Sequence, residues 1–171
     1  AIGVVIAHEV THGFDDQGSQ FDKDGNLINW WTDADKENFK QRTKVMEEYF
    51  NGIEVAPGLF ANGAFTLGEN IADHGGLQVS FHAFKNATKE NPLEVKDGFT
   101  PEQRFFISYA NVWAGNIRDE EVVRRTKVDP HSLGKWRVNG ALPHISAWYE
   151  AFNITPDNAL YLAPEKRVSI W

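Results

Sequence analysis

The feature that most constrains this chain is an apolar run near its beginning that carries two histidines four residues apart, Val5-Ile6-Ala7-His8-Glu9-Val10-Thr11-His12. Residues at this spacing lie on one face of an α-helix, so His8 and His12 can direct two imidazoles at a single metal ion. Glu9 lies about 100° further round the helix, close enough to reach a water on that metal without binding the metal itself. Neutral nitrogen ligands, a carboxylate base and an open coordination position are what zinc hydrolases need. The pattern predicts a catalytic zinc site, and the alternative is a hydrogen-bonded pair of core histidines.

A zinc site of this kind needs a third ligand, and the sequence offers two carboxylates on a later helix. Glu69 and Asp73 are four residues apart and therefore share a helix face. Glu69 would complete a set of two histidines and one glutamate and leave the fourth position for water. Asp73 would accept the free ring N–H of a ligand histidine and fix its tautomer. The alternative is that Thr66-Leu67-Gly68-Glu69 is a capping box, in which Glu69 hydrogen-bonds the backbone.

A histidine soon after the motif is the other possible third ligand. The metzincin pattern requires a glycine three residues and a histidine six residues after the second motif histidine. Asp15 and Gly18 occupy those two places, which excludes that pattern. We expect Asp15 to be a partner of His12, or simply a loop carboxylate.

His131 stands out among the other histidines because it lies in a loop that Pro130 constrains, with Arg137 nearby. A peptidase needs donors for the developing oxyanion and for the carbonyl of its substrate, and these two side chains can supply them. A surface histidine and a structural arginine are the simpler interpretation of the residues alone. We expect the remaining histidines to be structural or surface residues: His74, His82 and His144.

Composition limits the classes of protein to which the chain can belong. Its 171 residues suffice for one domain with a sizeable core, and its net charge of -7 and lack of a basic stripe argue against a nucleic-acid partner. No apolar run reaches the roughly 18 residues of a membrane span. Because the chain has no cysteine, any metal must be held by His, Asp or Glu. The chain opens directly into the motif helix without an N-cap, so we expect it to be the C-terminal part of a larger protein.

Helix caps and apolar spacing predict a mainly α-helical fold with no strong alternating strand. Thr32 and Thr100-Pro101 mark two helix starts. The pair Gly75-Gly76 lies inside another helix, where it is stable only if a second backbone packs closely against it. The predicted helices after the first cover residues 32–51, 66–84, 100–114, 119–126 and 142–152, and residues 129–134 are predicted to be a loop.

Several segments together resemble a known family, and they match it in order from one end of the chain to the other. The segments are Val5-Ile6-Ala7-His8-Glu9-Val10-Thr11-His12-Gly13-Phe14-Asp15-Asp16, Gly68-Glu69-Asn70-Ile71-Ala72-Asp73-His74-Gly75-Gly76-Leu77, Asp129-Pro130-His131-Ser132 and the closing Trp171. They resemble the neprilysin family of zinc endopeptidases, which includes the endothelin-converting enzymes and the bacterial oligopeptidases called PepO. The resemblance implies a thermolysin-like (gluzincin) catalytic subdomain. Residues 1–171 would form the C-terminal part of the catalytic domain, without its upstream strand region or the N-terminal helical domain.

The resemblance also implies one zinc ion per chain and a role for each matching position. By resemblance, His8, His12 and Glu69 would be the zinc ligands, Glu9 the base that activates a zinc-bound water, and Asp73 a carboxylate behind the ligands. His131 would be the transition-state stabiliser, and Arg137 the arginine that holds the substrate's backbone carbonyl. A hydrophobic substrate pocket would be lined by Val5, Val112 and Trp113.

The activity implied is cleavage of short peptides on the amino side of hydrophobic residues. The implied partners are peptides and the protein's own N-terminal domain, and the implied location is outside the cytoplasm, either periplasmic or membrane-anchored. Val168 stands where animal members of the family have a cysteine, so the chain resembles a bacterial member without that disulfide. The competing class is a non-catalytic helical binding or interaction module that zinc stabilises. Structural zinc normally has four protein ligands, so direct contact of His131 with the metal would favour that class.

Overall fold

A computed structural model describes residues 1–170, and the closing Trp171 named above lies outside the described residues. The fold is mainly helical, as predicted. Its elements are α1 (Ile2–Thr11), α2 (Asp33–Asn51), β1 (Glu54–Ala56), β2 (Leu59–Phe60), α3 (Leu67–Ala87), α4 (Pro101–Val112), α5 (Asp119–Val128), α6 (Gly134–Asn139) and α7 (Ser146–Phe152). Among residues 1–170, no helix combines the length and the apolar character needed to cross a bilayer.

Two helices begin where the sequence places their caps. Thr32 Oγ1 accepts a hydrogen bond from the Asp35 backbone N–H at 3.2 Å and starts α2. Thr100 and Gln103 form a reciprocal capping box before α4, with Thr100 Oγ1 accepting from the Gln103 N–H at 3.2 Å and Gln103 Oε1 accepting from the Thr100 N–H at 3.0 Å. These bonds satisfy donors that the first turn of a helix leaves unpaired. Both predicted helix starts are confirmed.

The glycine pair of α3 allows α1 to pack closely against that helix. A Cβ atom on Gly76 would lie 2.8 Å from the Val4 carbonyl oxygen and 3.0 Å from the His8 amide nitrogen. A Cβ atom on Gly75 would lie 2.6 Å from Thr11 Cγ2. The predicted approach of a second backbone is therefore confirmed. This close contact joins α1 and α3, the two helices that carry the predicted metal ligands.

The helix α3 lies between two apolar clusters. Leu77 of α3 belongs to one cluster, together with Phe106 of α4 and Trp148 of α7. Ile71 of α3 belongs to the other, together with Phe50 of α2. Because α3 is covered by apolar side chains on two sides, its polar residues must find partners within the protein.

A two-stranded antiparallel hairpin, β1 and β2, is not among the predicted elements. Its turn contains Pro57-Gly58, and Gly58 has a φ of 72°, a conformation that glycine adopts without strain. The strands have three and two residues, too few to show the alternation by which a strand is recognised in a sequence.

The helix α6 occupies a part of the chain for which no helix is predicted, and Gly134, predicted to be loop, is its first residue. Six residues are too short a run for helical periodicity to be visible. Tertiary contacts hold it instead, since Tyr109 Oη of α4 donates a hydrogen bond to the Arg137 carbonyl at 2.9 Å.

The helix predicted over residues 142–152 is broken in two. Residues Leu142–His144 form a single 3-10 turn, Ile145 is extended with a ψ of 105°, and α7 follows. Tyr149 Oη donates a hydrogen bond to the Pro143 carbonyl at 2.8 Å, and a continuous helix would bond that carbonyl to the amide of residue 147. A buried side chain therefore replaces a helical hydrogen bond at the break.

Candidate metal centre

Three predicted ligand residues, His8, His12 and Glu69, converge between α1 and α3. The Nε2 atoms of His8 and His12 are 3.1 Å apart. Glu69 Oε2 lies 3.2 Å from His8 Nε2, and Glu69 Oε1 lies 3.6 Å from His12 Nε2. Zinc–ligand bonds of about 2.0–2.1 Å in a tetrahedron separate neighbouring ligand atoms by about 3.3 Å. The measured distances lie on either side of that value, although they involve both oxygens of Glu69. One ligand atom from each residue lies within 4.8 Å of the others, so the three residues could hold a metal ion.

Glu69 does not serve as the cap of α3. Thr66 makes no side-chain capping bond to the helix, so the capping-box alternative is wrong. The Oε2 atom of Glu69 is buried and accepts no well-formed hydrogen bond from residues 1–170. A buried carboxylate oxygen that faces two imidazole nitrogens without a donor is suited to binding a cation.

Each histidine of the cluster is held from behind by a carboxylate. His8 Nδ1 lies 2.9 Å from Asp73 Oδ1, and His12 Nδ1 lies 2.7 Å from Asp15 Oδ2. An Nδ1–H donated to each carboxylate leaves the Nε2 lone pair free to bind a metal. The other oxygen of Asp15 accepts the backbone N–H groups of Gln17 and Gly18 at 2.8 and 2.7 Å. Asp15 therefore contacts His12 and also binds the backbone of its own loop.

The electrostatics of the cluster favour a positive charge. Burial by itself lowers the pKa of His8, but the short contacts with Asp73 and Glu69 outweigh burial and raise that pKa to about 9. Burial raises the pKa of Glu69, yet the contact with His8 and the charges of His131 and His12 lower it overall. A site that stabilises an added proton in this way also suits a divalent cation.

Arg137 lies directly behind the cluster. Its Nε and Nη2 donate to the two oxygens of Asp73 at 2.8 and 2.7 Å, and both side chains are buried. The guanidinium also stacks on the ring of Trp113, with Cζ 3.9 Å from the ring centre. Asp73 therefore receives hydrogen bonds from both Arg137 and His8. Arg137 has the structural role that the residues alone favour, and it also reaches the wall of the neighbouring cavity.

His131 faces the cluster from the loop before α6. Its Nε2 lies 3.3 Å from Glu69 Oε2, and its Nδ1 and backbone N–H lie 2.8 and 3.0 Å from Asp129 Oδ1. Asp129 has no role in the sequence analysis beyond its place in the matching segment. Burial raises its pKa, but the bonds from His131 and Arg125 lower it to about 2, so this carboxylate is ionised. The only signal in the sequence is its place two residues before a histidine, with a proline between them.

His131 does not belong to the converging ligand set. Within residues 1–170, the cluster whose ligand atoms all lie within 4.8 Å of one another consists of His8, His12 and Glu69. The non-catalytic alternative expects a fourth protein ligand, and this geometry does not supply one. Glu9 follows His8 on α1 and is exposed, and its side chain makes no hydrogen bond or ion pair within the described part of the chain.

A cavity of about 310 Å³ opens beside Arg137. Val112 and Trp113, both predicted to line a substrate pocket, lie in its wall together with Ile117 and Leu133. Val5 is partly exposed on α1 and does not line this cavity. The structure therefore brings two of the three predicted pocket residues together.

Known proteins resemble this chain in both sequence and structure. A family model described as peptidase family M13 matches residues 1–168. Human neprilysin is 41% identical over 175 aligned positions, which cover 99% of this chain and 23% of neprilysin. The crystal structure of Mycobacterium tuberculosis zinc metalloprotease Zmp1 in complex with an inhibitor gives a TM-score of 0.96 at 44% identity, covering 100% of this chain and 27% of that one. PepO from Lactobacillus rhamnosis gives a TM-score of 0.85 at 37% identity, covering 99% and 25%. The chain thus spans about a quarter of the length of these relatives.

Proposed function

The chain belongs to peptidase family M13, and from this premise we propose that the whole protein is a zinc-dependent endopeptidase whose metal is held by His8, His12 and Glu69. The family membership confirms the resemblance seen in the sequence. The observation that carries the proposal is the convergence of His8, His12 and Glu69, whose ligand atoms lie within 4.8 Å of one another, together with the buried Glu69 oxygen that accepts no well-formed hydrogen bond from residues 1–170. Three protein ligands are typical of catalytic zinc, because they leave one coordination position open.

Zinc, when bound, supplies a Lewis acid that polarises a carbonyl oxygen and lowers the pKa of water. We propose that the residues of the chain perform the proton transfers. Glu9, exposed beside His8, accepts a proton from the attacking water and passes it to the leaving amine. Asp73 and Asp15 hold the two ligand imidazoles in the orientation that this chemistry needs.

His131 is proposed to stabilise the oxyanion that forms at the scissile carbonyl. Asp129 binds its Nδ1 and its backbone N–H, which fixes the direction of the ring. In its protonated form the imidazole then offers Nε2–H toward the cluster, where negative charge develops in the transition state. The preorganised bond to Asp129 means that little reorganisation is needed during the reaction.

The cavity beside Arg137 is proposed to bind the substrate side chain that follows the cleaved bond. Val112 and Trp113 give it an apolar wall, so we propose cleavage of short peptides on the amino side of hydrophobic residues. Arg137 would hold a backbone carbonyl of the substrate at the rim, while its two bonds to Asp73 fix the position of the guanidinium.

A further part of the same polypeptide is proposed to cover α1. Ile2, Ile6 and Val10 lie one helical turn apart and are 73%, 59% and 64% exposed. A continuous apolar stripe of this kind on a helix marks an interface, and the chain spans only about a quarter of its relatives' length. The resemblance also leads us to propose that the whole protein acts outside the cytoplasm, which fractionation of its native cells would test.

The proposed function is tested by Glu9→Gln in the full-length enzyme, with Glu48→Gln as the matched control. Glu48 is an exposed residue of α2 that pairs with Lys44, so the same chemical change there should leave activity unchanged. Glu9→Gln should retain about one zinc per chain and lose about 10²–10⁴-fold in kcat against a peptide with a hydrophobic residue after the cleaved bond. An unchanged kcat would remove Glu9 from the role of base.

A further inference from the structure

A chain of buried side-chain hydrogen bonds connects α3 with the loop that carries His131, and the mechanism above does not use it. Ser132 Oγ donates to Asn70 Oδ1 at 2.8 Å, and Asn70 Nδ2 donates to Thr66 Oγ1 at 2.9 Å. Thr66 Oγ1 in turn donates to the Asn62 carbonyl at 3.1 Å. Asn70, Ser132 and Thr66 are only 2%, 7% and 6% exposed. The Ser132 hydroxyl, the Asn70 amide and the Thr66 hydroxyl each donate to an acceptor, as buried polar groups generally do.

The relay joins the immediate neighbours of two functional residues. Asn70 follows the metal ligand Glu69, and Ser132 follows His131. The side chains of Glu69 and His131 meet at 3.3 Å beside this link. A bond between the adjacent residues therefore sets how far apart the two backbones lie.

The bonds to Asp129 cannot perform this task. Asp129 binds His131 and is itself bound by Arg125, so all these contacts stay within residues 125–131. They orient the imidazole within its own loop and leave the distance between the loop and α3 undetermined. The bond between Arg137 and Asp73 is the neighbouring link to α3, one helical turn further along.

We propose that Asn70 and Ser132 are positioning residues, whose hydrogen bond fixes the distance between His131 and the ligand Glu69 and thereby aligns His131 with the developing oxyanion. This inference rests on the function proposed above for His131. Catalytic groups work only when held close to their productive geometry, and a displacement of about 1 Å can reduce the rate on the order of 10²-fold. The relay acts on the transition state, because the oxyanion forms only there.

The test is Ser132→Ala in the full-length, zinc-loaded enzyme, with Ser132→Thr as the conservative variant that keeps the hydroxyl. Ser80→Ala is the matched control, since Ser80 is also buried, lies on α3, and bonds only backbone carbonyls of that helix. Ser132→Ala should lower kcat about 10–100-fold while KM changes less than about threefold and zinc stays near one per chain. Ser132→Thr should recover most of the loss, and Ser80→Ala should have wild-type kcat.

A transition-state analogue gives a second readout that a merely structural bond would not change. A phosphonamidate peptide places anionic oxygen where the oxyanion forms, so its affinity for Ser132→Ala should fall by the same factor as kcat/KM. The affinity of Ser132→Ala for the substrate peptide of the same sequence should stay at the wild-type value. Equal kcat and equal analogue affinity in Ser132→Ala and Ser80→Ala would overturn the proposal.

Thr66→Val keeps the proposal testable if Ser132→Ala does not fold. It removes the far end of the relay with little change in shape and should lower kcat severalfold at unchanged zinc content. A wild-type kcat in this variant would then refute the relay. The experiment also separates the inference from the proposed function: a zinc-loaded wild type that cleaves no peptide contradicts the function, whereas an active wild type with equally active variants contradicts only the role of the relay.

Discussion

The substitution Gly76→Ala should weaken the metal centre without replacing any ligand side chain. The added methyl would lie 2.8 Å from the Val4 carbonyl oxygen and 3.0 Å from the His8 amide nitrogen. Ordinary contact begins at 3.4 Å, so α1 must move by at least about 0.6 Å. The atoms in the way belong to the backbone of the helix that holds His8, and no side-chain rotation can relieve the clash.

The size of the effect follows from two opposing contributions. Overpacking costs about 1–3 kcal/mol, and alanine gains about 1 kcal/mol over glycine in a helix interior. Because the clash is with backbone, which cannot rotate away, the cost should lie in the upper part of its range. We therefore expect the free energy of unfolding to fall by about 1–2 kcal/mol, which lowers Tm by about 2–8 °C in a chain of this size. Metal–ligand distances tolerate only about 0.2 Å, so a shift of His8 by about 0.6 Å should weaken zinc binding at least tenfold.

Gly3→Ala is the control for this experiment. Gly3 is also a helical glycine of α1, but a Cβ atom there would lie 3.8 Å from its nearest neighbour, the Ser80 Cβ, which is an ordinary contact. It should raise stability by about 0.5–1 kcal/mol and leave zinc affinity unchanged. Thermal unfolding and zinc competition with a chelator measure both quantities. Wild-type zinc affinity together with a raised Tm in Gly76→Ala would refute the reasoning.

Two further predictions concern buried charge. Burial lowers the pKa of His74 from 6.5 to about 3 and that of His144 to about 4. Below pH 6.5 the unfolded chain therefore binds protons that the folded chain does not, and the free energy of unfolding falls as the pH is lowered toward 4. At about pH 5 each histidine should have lowered it by about 2 kcal/mol. Denaturant unfolding across this range should show a flatter profile for the double variant His74→Gln, His144→Gln, and equal acid sensitivity would contradict the assignment. Arg137→Ala should lower the free energy of unfolding by about 3–5 kcal/mol, because it leaves the buried Asp73 carboxylate without its bidentate partner. A loss below about 1 kcal/mol, measured by the same unfolding assay, would mean that His8 alone satisfies Asp73.

The parts of the fold that the sequence predicts are those that local chemistry determines. The caps at Thr32 and Thr100 depend on residues three positions away, so a short window contains the whole signal. The spacing of His8 and His12 likewise depends only on helical geometry. The glycine pair of α3 predicts a close backbone neighbour because glycine is otherwise unfavourable inside a helix.

The parts that the sequence does not predict depend on contacts between distant residues. The helix α6 is short and is held by Tyr109, which lies 28 residues before the carbonyl it binds. The break before α7 depends on Tyr149, whose hydroxyl donates a hydrogen bond to the Pro143 carbonyl in place of a helical N–H. Asp129 is recognisable as the partner of His131 only once the turn between them is formed. The relay from Ser132 to Asn70 spans 62 residues, and no local pattern marks it.

Zinc stoichiometry by elemental analysis tests the proposed metal centre most directly. It is measured on the full-length protein after dialysis without added metal, beside Glu69→Ala and the control Glu48→Ala on the exposed face of α2. About one zinc per chain in the wild type and the control, and little or none in Glu69→Ala, is the result that a site of two histidines and one glutamate predicts. Zinc retained at one per chain in Glu69→Ala would contradict it, because Glu69 would then not be a ligand.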